Sequence, residues 1–479
     1  MAKKKKLIIL QIDGLGYSAA LEAIRDGHMP FLKKLLTDDY EILRYRSGVP
    51  STTPYVQAGL LYGDNAEIPS FRWWDRKRKK TIQLMGERTF YDVDHRYFNK
   101  SKPLLEKGVA IATLFAGGSK SAFAVSYVDK GNSQFSNAIF KKTFTHLFLN
   151  PYSNFKWHWH TFRKSMKIGL EMLKCIAKRK YVDWIHFPLY LLDQFFLFYP
   201  TSIAIKKAIG GNYPVTYAGF YSYDNVAHIF GQKSSHGNSI LKDIDNTLKG
   251  ISREIKKRKK DSDLIILSDH GETKFEFIGK KTGKTLGEHL AGFLPEYAID
   301  EYPGKHITPT VKKKGGIALT YSGGLGHFFD TERLERMSFK QVIEKFPNLV
   351  QKIIQIPEIA GVVMKDGTED ILIAKDKVLS LKKPLTREAK EFLKKFDSPE
   401  IVAKQLSDLN SFKNAGDIIF IGQHEKDYQI SFEPPVCGHG SIGGSQAHPF
   451  ILLKKSHALD TSSMTDARHL HPFLSSLVS

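Results

Sequence analysis

The chain has 479 residues, 42% of them hydrophobic, and carries a formal net charge of +21 at pH 7. This length exceeds that of one small domain, and the apolar content excludes a disordered chain. The two cysteines, Cys175 and Cys437, exclude both a disulfide framework and a CxxC zinc site. The basic excess favours polyanionic partners without choosing among phosphorylated substrates, anionic lipid and nucleic acid. No recognised nucleic-acid motif is present, so charge alone supports the third of these.

The first predicted element is a buried strand close to the N-terminus. The apolar run 7–12 is short and ends at Asp13 without a small-residue cleavage site, so we interpret it as a strand and not as a signal peptide. The nearest approach to a membrane span, residues 184–205, is interrupted by two prolines and two polar side chains. We therefore expect a cytoplasmic protein.

Short apolar runs typical of strands alternate with helical patterns along most of the chain. The predicted strands are 7–12, 109–115, 123–128, 263–268, 317–322, 417–422 and 450–455, and helical patterns cover 19–36 and 239–258. The alternation indicates an α/β fold in which helices sandwich a mostly parallel sheet. Open sheets of this kind build their sites at the C-terminal ends of strands. Asp13 and Asp269 both lie one step beyond such a run.

Two segments interrupt this alternation and are predicted to be insertions. Residues 146–212 are helical, basic and aromatic, and residues 330–410 form a small α+β unit. In the second insertion, a helix over 332–355 precedes a hairpin whose turn is Asp366-Gly367. The polar stretch 274–315 is predicted to be a surface loop. The core is thereby divided into residues 1–145, 213–329 and 411–479.

Five short stretches carry side chains of the kind that bind metal ions. They supply three carboxylates, three imidazoles and one hydroxyl, from Asp13, Thr53, Asp224, His228, Asp269, His270 and His439. Asp and His together favour Zn²⁺, and favour Mn²⁺ or Mg²⁺ less as the number of imidazoles rises. Two divalent cations with the hydroxyl between them would use all of these side chains and would clamp both oxygens of a phosphoryl displacement. A hydroxyl that touches a cation loses its proton more easily, which makes Thr53 a candidate nucleophile.

Each stretch alone has an ordinary structural explanation. An Asp after a buried strand is often a helix N-cap, and the Ser51-Thr52-Thr53 run would serve to cap the helix that follows it. An Asp-His-Gly tripeptide is often only a turn, and an Asp and a His four residues apart are commonly a surface pair. These explanations would all have to hold at once for the site to be absent. The ordered set of five argues against that combination.

The order and context of these stretches resemble the alkaline phosphatase superfamily, and within it the type I phosphodiesterase/nucleotide pyrophosphatase branch. The similar segments are IDGLG, MPFLKKL (29–35), PSTTPYVQAGLLYG (50–63), YDNVAHIFG, SDHGE and GHGSIGG. The similarity therefore covers the core and neither insertion. Pro50 and Gly63 align with the Pro and Gly that flank the nucleophile of that family. This alignment places the nucleophile at Thr53 and not at Thr52.

The resemblance also implies a ligand set and a reaction. One cation takes Asp224, His228 and His439, and the other takes Asp13, Asp269 and His270. The Thr53 Oγ touches the second cation and attacks phosphorus, which gives a covalent phospho-threonine or nucleotidyl-threonine intermediate that water then hydrolyses. The implied activity is that of a metal-dependent phosphoric ester hydrolase, and more that of a phosphodiesterase than of a monoesterase.

Departures from the family pattern concern the substrate. The branch carries an Asn shortly after its nucleophile that helps to hold a phosphate oxygen, whereas the corresponding stretch here, residues 70–75, has none. Arg72 is the predicted replacement for that charge stabilisation. The missing Asn makes nucleotides less favoured, and the expected substrate is a phosphorylated small molecule or a lipid headgroup.

Other functions of the same scaffold stay open at this point. One alternative is a phosphomonoesterase or phosphotransferase that uses the same site. Another is a basic membrane- or polyanion-binding protein on a degenerate phosphatase scaffold, although intact residues at all seven positions argue against degeneracy. The sequence does not indicate an oligomeric state.

The aromatic and basic segments allow further alternatives. All five tryptophans lie at 73–74 or in the 146–212 insertion, where aromatics beside Lys and Arg favour the headgroup level of a membrane. This composition predicts peripheral association with anionic lipid, or else a helical cap over the active site with the aromatics in its core. The basic run 76–80 is either a solvated loop or a phosphate-attracting rim. His327 is either a substrate contact or a structural histidine.

Overall fold

The computed structural model of the protein describes residues 5–98, 102–127, 135–139, 141, 151–177, 185–258, 262–375 and 377–478. Within these ranges, no helix is both long enough and apolar enough to cross a lipid bilayer. The predictions for Trp184 and for the side chain of Trp157 fall outside the described residues.

The strands form two large sheets and two small ones. In chain order the described strands are β1 (Lys6–Ile12), β2 (Tyr40–Arg44), β3 (Arg72–Asp75), β4 (Lys80–Gln83), β5 (Val109–Thr113), β6 (Ser121–Val125), β7 (Val215–Phe220), β8 (Ser262–Leu267), β9 (Thr273–Phe277), β10 (Tyr297–Glu301), β11 (Lys305–Ile307), β12 (Gly315–Ser322), β13 (Leu325–Asp330), β14 (Ile359–Asp366), β15 (Glu369–Ala374), β16 (Lys377–Ser380), β17 (Ile418–Gly422), β18 (Gln429–Ser431), β19 (Cys437–Gly438) and β20 (Phe450–Lys454). The first sheet has the order β2-β20-β8-β1-β7-β5-β6. Its strands from β8 to β6 are parallel, and β20 runs antiparallel to both of its neighbours. The predicted α/β fold with a mostly parallel sheet is confirmed.

Helices cover both faces of this sheet. The described α-helices are α1 (Tyr17–Arg25), α2 (Pro30–Thr37), α3 (Thr53–Tyr62), α4 (Glu87–Tyr97), α5 (Pro151–Ala177), α6 (His186–Leu192), α7 (Phe198–Gly210), α8 (Ser222–Phe230), α9 (Ser235–Lys257), α10 (Ile278–Thr282), α11 (Leu286–Phe293), α12 (Phe339–Lys345), α13 (Leu349–Ile354), α14 (Arg387–Leu393), α15 (Pro399–Ser411) and α16 (Leu470–Ser476), with a π-helical turn at Asp193–Leu197 between α6 and α7. Successive side chains of a strand point to opposite faces. In β1, Leu7 and Ile9 accordingly pack with residues of α3, whereas Ile8 and Leu10 pack with residues of α9.

The second large sheet has the order β11-β10-β12-β13-β17-β14-β15-β16. The predicted strands 317–322 and 417–422 belong here, as β12 and β17, and not to the parallel sheet. The predicted hairpin forms from β14 and β15, with Asp366 paired to Glu369 across the turn. Because β14 also pairs with β17, strands of the predicted 330–410 insertion share a sheet with strands on both sides of it. The bounds of the two insertions stay predictions.

Two predicted elements in this half of the chain are wrong. The predicted helix over 332–355 is two shorter helices, α12 and α13, because Pro347 lacks an N–H and Asn348 takes a left-handed φ of 60°. The predicted loop over 274–315 contains β9, α10, α11, β10 and β11. Its few apolar residues suffice to anchor it, since Leu286 and Leu290 of α11 are fully buried against the second sheet.

The described part of the 146–212 insertion is helical, as predicted. It comprises α5, α6, the π-helical turn and α7. Buried residues of α7, among them Ile205 and Ala208, pack with Val109 and Ile111 of β5. The π-helical turn is tied to the start of α8, because the Ser222 hydroxyl donates to the Asp193 carboxylate and Gln194 Nε2 donates to the Ser222 Oγ at 2.5 Å. The insertion is thereby fixed to the helix that carries Asp224 and His228.

Candidate metal centre

Neighbouring strands of the parallel sheet place the predicted carboxylates together at the edge formed by the C-terminal ends of the strands. Asp13 directly follows β1, and Asp269 follows β8 with one residue between them. Asp224 lies in the first turn of α8, just after β7. These strands are adjacent, in the order β8-β1-β7, so their C-terminal ends meet. Gly14, with a φ of +72°, permits the close approach, because a Cβ at this position would lie 2.5 Å from Asp224 Oδ1.

Thr53 is the first residue of α3, and its side chain points toward these carboxylates at the edge of the sheet. Its Oγ1 lies 3.1 Å from the Nε2 of His270, and the residue is 5% exposed. The N-terminus of a helix presents free N–H groups and a partial positive charge, which favours an anion at this position. The hydroxyl of the neighbouring Thr52 is buried and has no hydrogen-bond partner, and its residue precedes the helix as the N-cap.

Asp13, Asp269 and His270 form the first group of donors with Thr53. His270 Nε2 lies 3.2 Å from Asp269 Oδ2 and 3.5 Å from Asp13 Oδ1. The other oxygen of each carboxylate is held by the protein, since Gln11 Nε2 donates to Asp13 Oδ2 and the Gly14 N–H donates to Asp269 Oδ1, each at 3.3 Å. Asp13 Oδ1 and Asp269 Oδ2 are buried without a hydrogen-bond partner. The unsatisfied oxygens and the imidazole nitrogen therefore converge on one position.

Asp224, His228 and His439 form a second group beside the first. His228 Nε2 lies 3.5 Å from Asp224 Oδ2, and His439 Nε2 lies 4.0 Å from Asp224 Oδ1. His439 Nδ1 is 3.0 Å from the Ser51 carbonyl oxygen, to which it donates, so its Nε2 is the free lone pair. The His439 ring stacks on that of His270 with centroids 3.6 Å apart, which joins the two groups. The structure thus gathers all seven predicted residues; their role as metal ligands stays a prediction.

Glu272 is a member of this cluster that the sequence analysis missed. It is fully buried, and its Oε1 lies 3.9 Å from His228 Nε2. Asp224, His270, Glu272 and His439 each offer one donor atom, and these atoms all lie within 4.8 Å of one another. No nitrogen or oxygen donor among the described residues reaches either Glu272 oxygen. The only sequence signal for it was its position two residues after His270 in the SDHGE segment.

His186 of the insertion is a second missed neighbour. Its ring stacks on that of His228, with centroids 3.9 Å apart and planes 8° from parallel. His186 is the first residue of α6, so the insertion reaches the edge of the cluster. No sequence pattern marks this residue, because the contact depends on how the insertion packs on α8.

The electrostatics of the cluster favour bound cations. Burial raises the pKa of Asp269 to about 7, and burial followed by the charges of Asp269 and Asp224 raises the pKa of Asp13 well above its ordinary value. Burial, followed by the charges of Cys437 and Asp224, also raises the pKa of Glu272 well above its ordinary value. Burial lowers the pKa of His439 to about 3, which keeps the imidazole neutral and able to bind a metal. Crowded carboxylates without counter-ions, together with neutral imidazoles, fit divalent cations in their chemistry.

The structure places Arg72 at the start of β3, in an ion pair with Glu433. Arg72 Nη1 lies 3.1 Å from Glu433 Oε1, and Glu433 Oε2 accepts from the Gly323 N–H. The preceding residue, Phe71, contacts His439 with ring centroids 6.0 Å apart. Arg72 therefore lies one residue from a contact of the cluster, and its phosphate contact stays a prediction.

The roles of His327 and of part of the basic run 76–80 are resolved as structural. The His327 ring is fully buried, accepts from the Gly416 N–H through Nδ1 and donates to the Pro69 carbonyl through Nε2, so it has no nitrogen left for a substrate. In the basic run 76–80, Arg76 is buried in an ion pair with Asp417 at 2.9 Å, and Arg78 pairs with Asp92. The first of these arginines is therefore a core residue and not part of a phosphate-attracting rim.

Comparisons with known proteins give one family match and several similar structures. No curated protein matches the sequence of this chain. Residues 7–294 match the family described as type I phosphodiesterase / nucleotide pyrophosphatase. A similar solved structure is human ectonucleotide pyrophosphatase/phosphodiesterase 5, with 14% identity, a TM-score of 0.55, and coverage of 99% of this chain and 95% of that chain.

Two further structures show the same likeness. An inactive variant of the murine ectonucleotide pyrophosphatase/phosphodiesterase 5, in complex with AMP, has 11% identity and a TM-score of 0.54, with coverage of 99% of this chain and 95% of that chain. Phosphonoacetate hydrolase from Sinorhizobium meliloti 1021, in complex with phosphonoformate, has 11% identity and a TM-score of 0.53, with coverage of 100% and 96%. At such identities these structures show a shared fold.

Proposed function

Because the chain belongs to the type I phosphodiesterase/nucleotide pyrophosphatase family and is thereby a phosphoester hydrolase, we propose that it cleaves phosphodiesters through Thr53 at a centre of two divalent cations. The observation that carries this proposal is the position of the Thr53 Oγ1, 3.1 Å from His270 Nε2 at the first residue of α3. The hydroxyl lies there beside buried carboxylate oxygens that have no hydrogen-bond donors.

Each group of donors is assigned one cation. Asp13, Asp269, His270 and the Thr53 Oγ1 hold one, and Asp224, His228 and His439 hold the other, with Glu272 beside them. The mixture of carboxylate and imidazole favours Zn²⁺, and Mn²⁺ or Mg²⁺ less. When bound, the two cations neutralise the carboxylates, lower the pKa of the Thr53 hydroxyl and stabilise charge on the attacking and leaving oxygens. Gln11 hydrogen-bonds Asp13, and the Ser51 carbonyl hydrogen-bonds His439. These two contacts hold the ligands in their orientations.

Thr53 acts as the nucleophile in this proposal. Its hydroxyl loses its proton and the Oγ forms a bond to phosphorus as the ester P–O bond opposite it breaks, and the released alcohol takes up a proton. A water then attacks the phospho-threonine, the P–Oγ bond breaks and the Thr53 hydroxyl regains its proton. The start of α3 supports the anionic phosphoryl group through free backbone N–H groups. A threonine-to-alanine variant of the murine ectonucleotide pyrophosphatase/phosphodiesterase 5 is inactive, which supports a threonine in this role.

The proposed substrate is a diester of a small molecule or of a lipid headgroup. The net charge of +21 attracts anionic substrates. Arg72 is proposed to stabilise a phosphate oxygen in place of the missing Asn, since a guanidinium matches phosphate geometry. Glu433, its ion-pair partner, leaves part of this charge free, because the Arg72 Nε has no hydrogen-bond partner.

The test is a comparison of two chromogenic substrates on the metal-loaded protein. Turnover of bis-p-nitrophenyl phosphate with a higher kcat/KM than that of p-nitrophenyl phosphate supports the diesterase. A preference for p-nitrophenyl phosphate would assign the same site to a monoesterase, and transfer of phosphate to added glycerol would show a phosphotransferase. Asp269→Asn serves as the control that removes a donor from the first group, and its activity should fall with its metal content.

A further inference from the structure

Helix α5 exposes an apolar stripe in place of the polar face that an ordinary surface helix shows to solvent. The exposed side chains recur at intervals of three or four residues, which puts them on one face: Phe155, Trp159, Phe162, Met166, Leu170 and Leu173. The side chains that α5 buries against the protein include two polar ones, Thr161 and Ser165. Helix α5 is therefore amphipathic, but its more apolar face points to solvent and not to the protein core.

The next helical segment continues this surface. Ile185, Leu189, Leu192 and Phe196 are exposed at intervals of four, three and four residues. The two segments touch, because the ring of Phe187 lies against Gly169 of α5. Of the 18 large hydrophobic residues that are exposed in the described chain, 11 lie in 155–176 and 185–196. A chance distribution would spread them over the molecule, whereas such a concentration is typical of an interaction surface.

The position of α5 is fixed by contacts on its other face. Ile168 and Met172 are buried in the cluster that covers the parallel sheet. The Lys164 ammonium pairs with Asp243 of α9 and also donates to the Ser239 carbonyl at 3.1 Å. The outward orientation of the apolar stripe is therefore set by the packing of the helix on the core.

Basic side chains stand among the exposed apolar ones. Arg163, Lys167 and Lys174 are exposed on the same outward half of the helix, whereas Glu171, 3.4 Å from Lys174, is the single acidic residue of 151–177. If a second copy of the chain covered this face, like charges would be brought together in a low-dielectric contact. An anionic lipid surface does not bring like charges together. It can bury the apolar residues among its lipids and pair its negative headgroups with the basic residues.

We propose that this outward face of residues 155–176 and 185–196, here named the lipid-facing surface, docks on the surface of an anionic lipid bilayer. No described helix is both long enough and apolar enough to span a membrane, so in this proposal α5 lies in the plane of the interface with its aromatic and aliphatic side chains among the headgroups. Ile185 belongs to this surface, and the next residue, His186, stacks on His228 of the candidate metal centre. Docking thereby brings that centre to the level of the headgroups. The docking itself does not rest on the proposed function.

Vesicle sedimentation tests the proposal with two matched variants. The first replaces four outward residues of α5, as Phe162→Ser, Met166→Ser, Leu170→Ser and Leu173→Ser. The control replaces three equally exposed apolar residues elsewhere, as Met85→Ser, Val311→Ser and Leu334→Ser, which are 68%, 56% and 61% exposed. All replaced side chains are exposed, so both variants should keep the melting temperature and the metal content of the wild type.

The wild type and the control should pellet at low salt with vesicles of phosphatidylcholine and phosphatidylglycerol, and less with pure phosphatidylcholine. The four-site variant should lose affinity for the anionic vesicles by about a hundredfold. Equal pelleting of that variant, or absence of pelleting of the wild type, would overturn the proposal. A concentration-dependent dimer that the four-site variant alone loses would also overturn it, because a second copy would then cover the face.

A third variant tests the charges. Arg163→Gln, Lys167→Gln and Lys174→Gln together should weaken binding to anionic vesicles by about fivefold per charge and leave binding to neutral vesicles unchanged. An equal loss on both kinds of vesicle would contradict the assignment of an anionic partner.

Discussion

The Thr53 Oγ1 lies 3.1 Å from the Nε2 of His270, although 217 residues separate them in the chain. The hydroxyl stands at the start of a buried helix, and the imidazole stands at the end of a buried parallel strand. Burial lowers the pKa of His270, so its imidazole is neutral and offers a lone pair on the side of the threonine. This pairing places a nucleophilic oxygen within reach of the position on which Asp13 and Asp269 also converge.

Thr53→Ala should abolish phosphodiester turnover, because it removes the only atom proposed to attack phosphorus. We expect a loss of about a thousandfold or more in kcat with bis-p-nitrophenyl phosphate. Metal content, measured by mass spectrometry of the digested protein, should stay close to that of the wild type, since the carboxylates and imidazoles remain.

Thr52→Ala is the matched control for that experiment. Its hydroxyl is equally buried and has no hydrogen-bond partner, so its removal should change kcat by only a few fold. If instead Thr52→Ala were inactive and Thr53→Ala active, the assignment of the nucleophile would be wrong.

Glu272→Gln should weaken the binding of one cation. The substitution keeps the shape of the side chain and removes a buried negative charge 3.9 Å from His228 Nε2. By analogy with residues that support metal ligands, we expect the dissociation constant of one of the two cations to rise by about ten- to a hundredfold. Competition with a chromogenic chelator measures this change directly. Glu276→Gln, whose carboxylate pairs with Lys280 at 3.3 Å, is the control, and identical affinities in the two variants would exclude a role for Glu272.

Arg72→Gln should lower kcat/KM for the diester by about a hundredfold if the guanidinium stabilises a phosphate oxygen. Glu433→Gln breaks the same ion pair and leaves the arginine charge in place, so it should keep most of the activity. Steady-state kinetics of both variants separate stabilisation of the substrate by the guanidinium from a structural role of the ion pair. Equal losses would mean that Arg72 acts by holding Glu433 and Gly323 in place, and not by contact with substrate.

Asp269 should make the metal-free protein less stable as the pH rises. Burial raises the pKa of Asp269 from 3.8 to about 7 in the folded state, so the folded protein holds a proton that the unfolded chain releases near pH 4. The contribution of Asp269 to the stability of the metal-free protein is therefore fully present below that pH and is lost as the pH rises through about 7. A bound cation replaces the proton and removes this loss.

Melting temperatures at pH 5 and pH 8, in chelator and in excess Zn²⁺, measure this effect. In chelator the contribution of Asp269 to the melting temperature, taken as wild type against Asp269→Asn, should fall between pH 5 and pH 8, and Zn²⁺ should raise the wild-type melting temperature more at pH 8 than at pH 5. The same pH dependence with and without metal, in wild type and variant, would contradict the electrostatic account.

Much of the cluster could be predicted from sequence because local patterns fix it. A continuous apolar run predicts a strand buried on both faces, and the residue that follows must lie at the edge of the sheet, as Asp13 does. An Asp and a His four residues apart share one side of a helix, which α8 confirms for Asp224 and His228. A proline inside a helical pattern also predicts a break, but the single helix predicted over 332–355 overlooked that signal at Pro347.

The rest depends on contacts between distant segments, which no local pattern encodes. Glu272 and His186 became neighbours of His228 only because the segment after β8 and the insertion both pack beside α8. The membership of β12 and β17 in the second sheet follows from which strands pair, whereas their apolar runs fit a parallel sheet equally well. For α5 the helical spacing predicts an apolar stripe, but only its packing on Asp243 shows that the stripe faces outward.

The most direct test of the two-cation centre is anomalous diffraction at the zinc edge from crystals of the Zn²⁺-loaded protein. We expect two peaks about 4 Å apart, one between Asp13, Asp269 and His270 and the other between Asp224, His228 and His439. A single peak, or peaks remote from Thr53, would contradict it.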